Sequence, residues 1–257
     1  MSTEQNVVER LRAAGCVFAE DEAALLIAAA SGPELEAMVV RRVGGEPLEY
    51  VLGWAEFCGL RVAVESGVFV PRRRTEFLVE RALELAAPDG VIVELCCGTA
   101  AVGAALLKAR PDCDLHVVDI DPVAVGCARR NVEPAGGHVY EGDLYTPLPA
   151  SLRGRTDLLV ANAPYVPTQA IALMPPEARL YEARVALDGG ADGLDIQRRV
   201  AAEAAEWLAP GGHLLIETSA RQAPQTAGAL EDAGLTARTA HSDEVDGTVV
   251  RGTRTRR

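Results

Sequence analysis

Two short segments of the sequence carry side chains that could hold a cofactor and a small polar substrate. One is Glu94 and the turn of small residues after it, and the other is the run Asn162, Ala163, Pro164 and Tyr165. An asparagine side-chain oxygen and a neighbouring backbone carbonyl can together accept both hydrogens of an NH2 group. Such a pair would fix a nitrogen and aim its lone pair at an electrophile. The same four residues could also form an ordinary turn after a strand.

The turn after Glu94 has the small side chains of a cofactor loop. A tight turn between a strand and a helix lets a ligand approach backbone N–H groups. Asp119 ends the next predicted strand and could accept hydrogen bonds from both hydroxyls of a ribose. The simpler interpretation is a tight turn and a solvated aspartate. The residues of the turn are Cys96, Cys97, Gly98, Thr99 and Ala100.

This turn suits a cation better than a phosphate. Gly98 is its only glycine, whereas a dinucleotide pyrophosphate calls for the pattern G-x-G-x-x-G. S-adenosylmethionine has no phosphate and carries a sulfonium cation, so an acid at Glu94 suits it. The sequence therefore favours S-adenosylmethionine over a nicotinamide dinucleotide.

The elements that would position the two segments alternate between strands and helices, which predicts an α/β fold with a parallel, doubly wound sheet. Apolar runs predict strands over 91–95, 115–118, 138–140, 157–160 and 214–217. Helices are predicted over 101–109, 122–131, 192–208 and 223–233. The segments 235–239 and 248–251 predict a closing antiparallel pair.

The chain before this sheet differs in character. Residues 4–43 have helical spacing, so a helical appendage is predicted over residues 1–45. Alternation over 60–64 and a second apolar run over 68–70 predict a β-hairpin linker within residues 46–72. The main domain then spans 73–257 and begins with a helix over 75–87, for which Thr75 is the expected N-cap.

The composition limits the classes of function. With 257 residues, 49% of them hydrophobic, the chain can bury a sizeable core. The net charge of −12 argues against general affinity for nucleic-acid backbone, although Arg72, Arg73 and Arg74 form one basic cluster. Six cysteines without zinc-type spacing predict buried reduced thiols and no metal. No secretory pattern and no apolar run of about 20 residues is visible, which predicts a cytoplasmic protein without a membrane segment.

With both segments considered, the chain resembles the HemK/PrmC family, whose members methylate the glutamine of the Gly-Gly-Gln motif in peptide chain release factors. The resemblance runs from about Gly45 to Gly252. Asn162 to Tyr165 resemble the family's Asn-Pro-Pro-Tyr, a motif shared by many amino-methyltransferases. The more specific matches are Gly45-Glu46-Pro47-Leu48, Val70-Pro71-Arg72 with Thr75-Glu76, and the run 186–194.

The resemblance implies a Rossmann-like class I methyltransferase fold that uses S-adenosylmethionine. By this resemblance, residues 96–100 occupy the cofactor loop, Asp119 holds the ribose, and Asp143 and Leu144 contact the adenine. Asn162 would touch both cofactor and substrate amide. The carbonyl of Ala163, with Pro164 and Tyr165, would complete the glutamine pocket.

Three positions depart from the family's pattern. The family's Gly-x-Gly-x-Gly has cysteine at Cys96 and alanine at Ala100, which would narrow the cofactor turn. Ala163 replaces a proline, so the loop keeps its carbonyl but loses a constraint worth up to about 1 kcal/mol. Arg73 and Arg74 replace a proline and an acid. The helical appendage, which in the family helps to recognise the protein substrate, is also shorter than usual. The resemblance therefore supports methyl transfer to nitrogen more strongly than it supports a particular substrate.

Two other functions remain open on sequence alone. A nucleic-acid amino-methyltransferase, or one acting on another protein, could use the same Asn162 loop. The acidic composition and the lack of an added target-recognition domain disfavour a nucleic-acid substrate. A non-catalytic binding protein that had lost its cofactor would explain the altered glycine loop, but Asp119, Asn162 and Tyr165 argue against it.

Overall fold

The secondary structure of the protein, described by a computed structural model for residues 2–256, alternates between helices and strands after residue 90. The helices are α1 (Thr3–Ala13), α2 (Ala19–Ala29), α3 (Gly32–Val43), α4 (Leu48–Leu52), α5 (Glu76–Leu83), α6 (Ala101–Ala109), α7 (Pro122–Val132), α8 (Pro176–Tyr181), α9 (Asp195–Trp207) and α10 (Ala223–Asp232). The strands are β1 (Trp54–Phe57), β2 (Leu60–Ala63), β3 (Val91–Leu95), β4 (Asp114–Asp119), β5 (His138–Glu141), β6 (Thr156–Ala161), β7 (Leu208–Thr218), β8 (Thr236–Ser242) and β9 (Gly247–Thr253).

A seven-stranded sheet forms the centre of the fold, with the strand order β5-β4-β3-β6-β7-β9-β8. Strands β3 to β7 pair in parallel, and β9 pairs antiparallel with both β7 and β8. The predicted α/β class and the closing antiparallel strand are therefore confirmed. From β3, the chain adds β4 and β5 on one side of the sheet and then continues with β6 and β7 on the other side. Open α/β sheets bind ligands in the crevice at the point where the direction of strand addition changes, here between β3 and β6.

Both faces of the central strands β3, β4 and β6 are buried, which explains why these strands are continuous apolar runs. On one face, Ile92 and Leu158 pack with the apolar sides of α5 and α6. On the other, Val93 and Leu159 pack with α9, whose Trp207 is 1% exposed and stacks on Tyr145 at 5.5 Å between ring centroids. These two layers hold the ends of β3 and β6 rigid.

The first four helices form a separate apolar cluster, to which Leu11, Leu26 and Val39 contribute fully buried side chains. Arg42 of α3 is bound within it by Glu22 at 2.6 Å, and it also reaches Glu177 of α8. This ion pair connects the helical segment to the chain that follows β6. Among residues 2–256, no helix is long and apolar enough to cross a membrane.

The linker contains a hairpin, but its strands are not the predicted pair. Strand β2 pairs with β1, whereas the run 68–70 forms no strand. The turn between them is Cys58-Gly59, where both residues have positive φ, 48° and 65°. Two such residues match the twist of a tight hairpin. Val68 and Val70 are instead buried beside Ala124 of α7.

Thr75 occupies the predicted N-cap position of the next helix. Helix α5 begins at Glu76 and ends at Leu83, so it is shorter than the expected 75–87. The side chain of Thr75 makes no capping hydrogen bond, since its residue closes a preceding 3-10 turn, Arg73–Thr75. Its hydroxyl is directed to the site described next.

Candidate active site

A single crevice lies at the carboxyl ends of β3 and β6 and is bordered by both segments singled out from the sequence. Its volume is about 1370 Å³, including the part open to solvent. Twelve of the thirteen predicted site residues line it. They are Glu94, Cys96, Cys97, Gly98, Thr99, Asp119, Asp143, Leu144, Asn162, Ala163, Pro164 and Tyr165. Ala100 alone does not line it; this residue is fully buried in the core.

The loop after β3 has a repeating backbone conformation. Cys96, Gly98 and Ala100 have φ of 54°, 55° and 56°, in the left-handed region that favours glycine. Only Gly98 avoids the cost of a side chain there, which is about 1–3 kcal/mol per residue. A side chain at 98 would meet no atom within 4 Å, so open space borders the loop at that point. Cys96 and Ala100 have side chains where the family's pattern has glycine, and of these two only Cys96 borders the crevice.

Burial disfavours the reactive thiolate form of the cysteines in this loop. Burial raises the pKa of both the Cys96 and the Cys97 thiols, so they stay protonated at neutral pH. All six cysteines are free thiols. Among residues 2–256 no group of three or more His, Cys, Asp or Glu side chains could hold a metal ion.

Asp119 shapes the loop after β3 from the end of β4. Its Oδ2 accepts a hydrogen bond from the Gly98 N–H at 2.7 Å, and its Oδ1 accepts from the Asp121 N–H at 2.9 Å. Each carboxylate oxygen retains a further lone pair that could accept from a ligand hydroxyl. Ile120 follows it, 51% exposed and lining the crevice, and offers an apolar surface to a flat ring. Ile120 was not predicted from the sequence as a site residue. Its position directly after Asp119, the acid that ends β4, could have indicated it.

A second acid is buried under the loop. Glu94 is 4% exposed, and its Oε2 accepts a hydrogen bond from the Gly103 N–H at 2.8 Å. Burial raises the pKa of Glu94 to about 8, and the nearby charge of Asp119 adds to the rise. Neither carboxylate has a basic partner among the described residues. This end of the crevice therefore favours a positively charged ligand.

The acid predicted to contact an adenine is already paired. The Asp143 carboxylate accepts from Arg199 of α9 at 2.7 Å, which cancels its charge at the crevice wall. Leu144 beside it is 6% exposed and, like Val118, lines the crevice. This wall thus presents apolar surface and a neutral ion pair.

The loop after β6 presents the side chain of Asn162 to the crevice. Its Nδ2 donates to the hydroxyl of Thr75 at 3.4 Å, which leaves Oδ1 without a partner among the described protein groups. Ala163, which replaces the proline expected from the resemblance, is fully buried. Sequence reasoning missed Thr75 because it precedes a helix, where local rules predict a cap.

Tyr165 closes this loop and is held from behind. Its hydroxyl donates to Glu217 of β7 at 3.4 Å, and burial raises the pKa of Tyr165 to about 12. The guanidinium of Arg74 lies over the tyrosine ring at 5.9 Å and pairs with Glu217 at 3.5 Å. The arginine that departs from the family's pattern is therefore part of the crevice wall, and neither it nor Glu217 was predicted as a site residue.

The segment before α9 packs against the backbone of the Asn162 loop, which explains its glycines. A Cβ at Gly189 would lie 2.6 Å from the Pro164 carbonyl oxygen, and one at Gly193 would overlap the Tyr165 carbonyl oxygen. Gln222 donates to that same Tyr165 carbonyl at 3.0 Å. The loop is thus held in place by close backbone contacts.

We expect Gly193→Ala to displace this loop. Gly193 has φ of 81°, so the change adds backbone strain to the overlap, and the free energy of unfolding should fall by about 1–3 kcal/mol. Gly228→Ala is the matched control, because a Cβ there meets nothing within 4 Å in helix α10. Thermal unfolding should show a loss for the first variant only. Equal stability of both would contradict the packing described.

The comparisons with known proteins agree with this geometry. The family model of the methyltransferase small domain matches residues 59–192. A release factor glutamine methyltransferase of Geobacter sulfurreducens is 41% identical over 77% of this chain and 69% of its own length. One from Bradyrhizobium diazoefficiens is 35% identical over 86% of this chain and 83% of its own.

A solved structure extends the likeness in fold. The 16S rRNA N2 G1207 methyltransferase of Thermus thermophilus, in complex with AdoMet and guanosine, aligns with a TM-score of 0.53 at 18% identity. The alignment covers 78% of this chain and 49% of that one. A central parallel sheet with a closing antiparallel strand, a glycine-poor loop after β3 and an asparagine loop after β6 thus occur in a chain with methyltransferase relatives. The chain belongs to the release factor glutamine methyltransferase family.

Proposed function

We propose that this protein transfers a methyl group from S-adenosyl-L-methionine to the side-chain amide nitrogen of a glutamine, in the Gly-Gly-Gln motif of a peptide chain release factor. The observation that carries this proposal is the side chain of Asn162, which lines the crevice. Its Nδ2 donates to Thr75, while its Oδ1 has no partner among residues 2–256. Relatives named for this activity support the substrate. A release factor substrate also favours a cytoplasmic location.

S-adenosyl-L-methionine is the cofactor of the chain, and the residues of the crevice fit it. Asp119 would hold the ribose hydroxyls, and Ile120 and Leu144 would flank the adenine ring. Glu94 supplies an acid without a basic partner near the open space at Gly98, which suits a cationic group. When bound, the sulfonium supplies a strong electrophile, so the protein needs no covalent nucleophile.

The residues of the asparagine loop would then align the substrate. An amide nitrogen is a weak nucleophile because its lone pair is delocalised into the carbonyl. Oδ1 of Asn162 and the carbonyl of Ala163 would accept hydrogen bonds from its two N–H groups and favour the positive charge that grows on nitrogen. That charge would be removed when one of the two protons leaves to water. Alignment of this kind contributes up to about 7–11 kcal/mol in well-oriented systems. Tyr165 would pack on the flat amide.

Cofactor binding should release protons near neutral pH. Burial holds the pKa of Glu94 at about 8, so the side chain is largely protonated at pH 7 before binding. A bound cation favours the carboxylate and lowers this pKa, so affinity should rise as the pH increases from 6 to 8. Calorimetric titration in buffers of different ionisation enthalpy should detect the released proton, and Glu94→Gln should abolish that release. If the affinity of the unaltered protein did not depend on pH, Glu94 would not change from the protonated acid to the carboxylate when the cofactor binds, and the prediction would be contradicted.

Transfer of labelled methyl groups tests the substrate class. The protein would be incubated with labelled S-adenosyl-L-methionine and, separately, with a release factor and with a mixture of ribosomal and transfer RNA. Label in the release factor alone is the expected result. Label in RNA alone would overturn the proposal and support a base amino-methyltransferase, whose basic contacts would then be Arg72, Arg73 and Arg74. Cofactor binding without label in either would direct the search to other proteins.

A further inference from the structure

The segment 173–185, between β6 and α9, reverses part of the usual pattern of burial. Leu173 is 86% exposed and Leu180 is 66% exposed, whereas Glu182 is only 6% exposed. Soluble proteins usually bury leucine and leave glutamate in water. Among residues 2–256 nine large hydrophobic side chains are exposed, and three of them belong to this segment. A concentration of exposed apolar side chains is typical of a surface that binds a partner.

Ion pairs anchor this segment to the part of the chain that precedes the sheet. The Glu177 carboxylate accepts a hydrogen bond from Arg42 of α3 at 2.5 Å, and Glu182 pairs with Arg72 of the linker. The exposed apolar side chains are therefore presented by an anchored backbone. A partner that binds such a surface loses less conformational freedom than one that must first order a loose loop.

The apolar surface of this segment continues into the crevice. Met174 and Val185 both line the crevice, and Val185 is still 49% exposed. Leu173, the most exposed of the three, directly precedes Met174. These three side chains are called the apolar ridge from here on. The ridge thus joins the outer surface of the protein to the wall of the crevice.

The ridge lies on the side of the crevice where Asn162 is presented. A β-bridge pairs Val166 with Asp188, and the Val166 N–H donates to the Leu187 carbonyl at 3.1 Å. These contacts hold the chain that follows Val185 beside the loop after β6. A molecule whose amide reaches Asn162 would therefore pass close to the ridge.

The charges beside the ridge favour a protein over a nucleic acid as its partner. Arg72 pairs with Glu182, and Arg184 pairs with Asp188 at 3.0 Å, so these two guanidinium groups already have carboxylate partners. Nucleic-acid backbone binds to clustered cations that can replace its counterions. Apolar side chains beside neutralised arginines instead fit the apolar side chains that lie at the centre of protein interfaces.

We infer that the apolar ridge binds an apolar side chain of the substrate protein, close to the glutamine that enters the crevice. This inference rests on the proposed function, in which that glutamine belongs to a release factor. The ridge contacts no reacting atom, so it would contribute equally to the bound substrate and to the transition state. Its loss should therefore weaken substrate binding and leave the transfer step unchanged.

Serine substitutions on the ridge test this inference. Leu173→Ser and Val185→Ser should each raise the Kd for the release factor at least about fivefold, because an apolar contact is lost. KM should rise in parallel, while kcat and the Kd for S-adenosyl-L-methionine should change less than about twofold. Val123→Ser is the matched control, because Val123 is 42% exposed on α7 and does not line the crevice.

Calorimetric titration of the release factor, with S-adenosyl-L-homocysteine present to prevent turnover, measures these Kd values. An unchanged Kd in both ridge variants, or an equal loss in Val123→Ser, would overturn the inference. If the unaltered protein binds the factor but does not methylate it, the proposed function fails and the same comparison of Kd still decides the inference. No binding of the factor would overturn both. Sedimentation tests the other occupant, since a dimer that dissociates only in the ridge variants, with Kd unchanged, would assign the ridge to a second copy of this chain.

Discussion

Replacement of Asn162 by alanine is expected to lower kcat by about 10²- to 10³-fold, the usual loss when one preorganised group that stabilises transition-state charge is removed. The variant loses the side-chain oxygen proposed to accept a substrate N–H, and it frees the Thr75 hydroxyl behind it. The affinity for S-adenosyl-L-methionine should stay largely unchanged, since Asp119 and the loop after β3 are untouched. Steady-state turnover and cofactor titration measure the two effects separately.

Asn6→Ala is the matched control for this change. Asn6 is exposed on α1 and belongs to the helical cluster at the start of the chain. The control should keep full turnover and stability. Full turnover in Asn162→Ala as well would refute the role of Asn162. Loss of cofactor binding together with turnover would show that Asn162 acts by binding the cofactor and not by aligning the substrate.

Replacement of Asp119 by alanine should have the complementary effect and raise the Kd for S-adenosyl-L-methionine by about 100-fold. Hydrogen bonds to a charged group contribute about 1.5–3 kcal/mol each, and this carboxylate would accept from the ribose while it holds the Gly98 N–H. At saturating cofactor, turnover should recover in large part. Binding calorimetry together with turnover at increasing cofactor concentration gives both quantities.

Asp232→Ala serves as the control for Asp119→Ala, because Asp232 is exposed on α10. It should bind the cofactor as the unaltered protein does. Asp119→Asn adds a finer comparison, since it keeps the side-chain shape and one acceptor but removes the charge. Equal affinity in Asp119→Ala and Asp232→Ala would show that the ribose is held elsewhere.

The centre of the sheet could be predicted from the sequence because β3, β4 and β6 are buried on both faces. Val91–Leu95 and Asp114–Asp119 are apolar runs of strand length between turn residues, and this pattern depends on local sequence. The hairpin partner could not be predicted in this way. Its turn, Cys58-Gly59, lacks the asparagine or aspartate typical of such turns, so the alternation before Val68 was paired with the wrong run. The division of the chain at residues 45 and 72 stays a prediction.

The residues of the candidate site could be predicted where they lie in one short segment at the end of a strand. Asn162 directly follows β6, Gly98 lies three residues after the end of β3, and strand ends of a parallel sheet meet at one edge. Thr75 and Glu217 were missed because their contacts join segments far apart in the chain. Ala100 was predicted as a site residue that narrows the cofactor turn, but its methyl packs into the core and does not border the crevice.

Peptide mapping by mass spectrometry tests the central claim most directly. A release factor would be incubated with the protein and S-adenosyl-L-methionine, digested, and searched for a peptide that gains one methyl group. We predict the methyl on the side chain of the Gly-Gly-Gln glutamine, and none when that motif is changed to Gly-Gly-Ala. A methyl on another residue, or none on the release factor while the protein binds the cofactor, would contradict the proposed substrate.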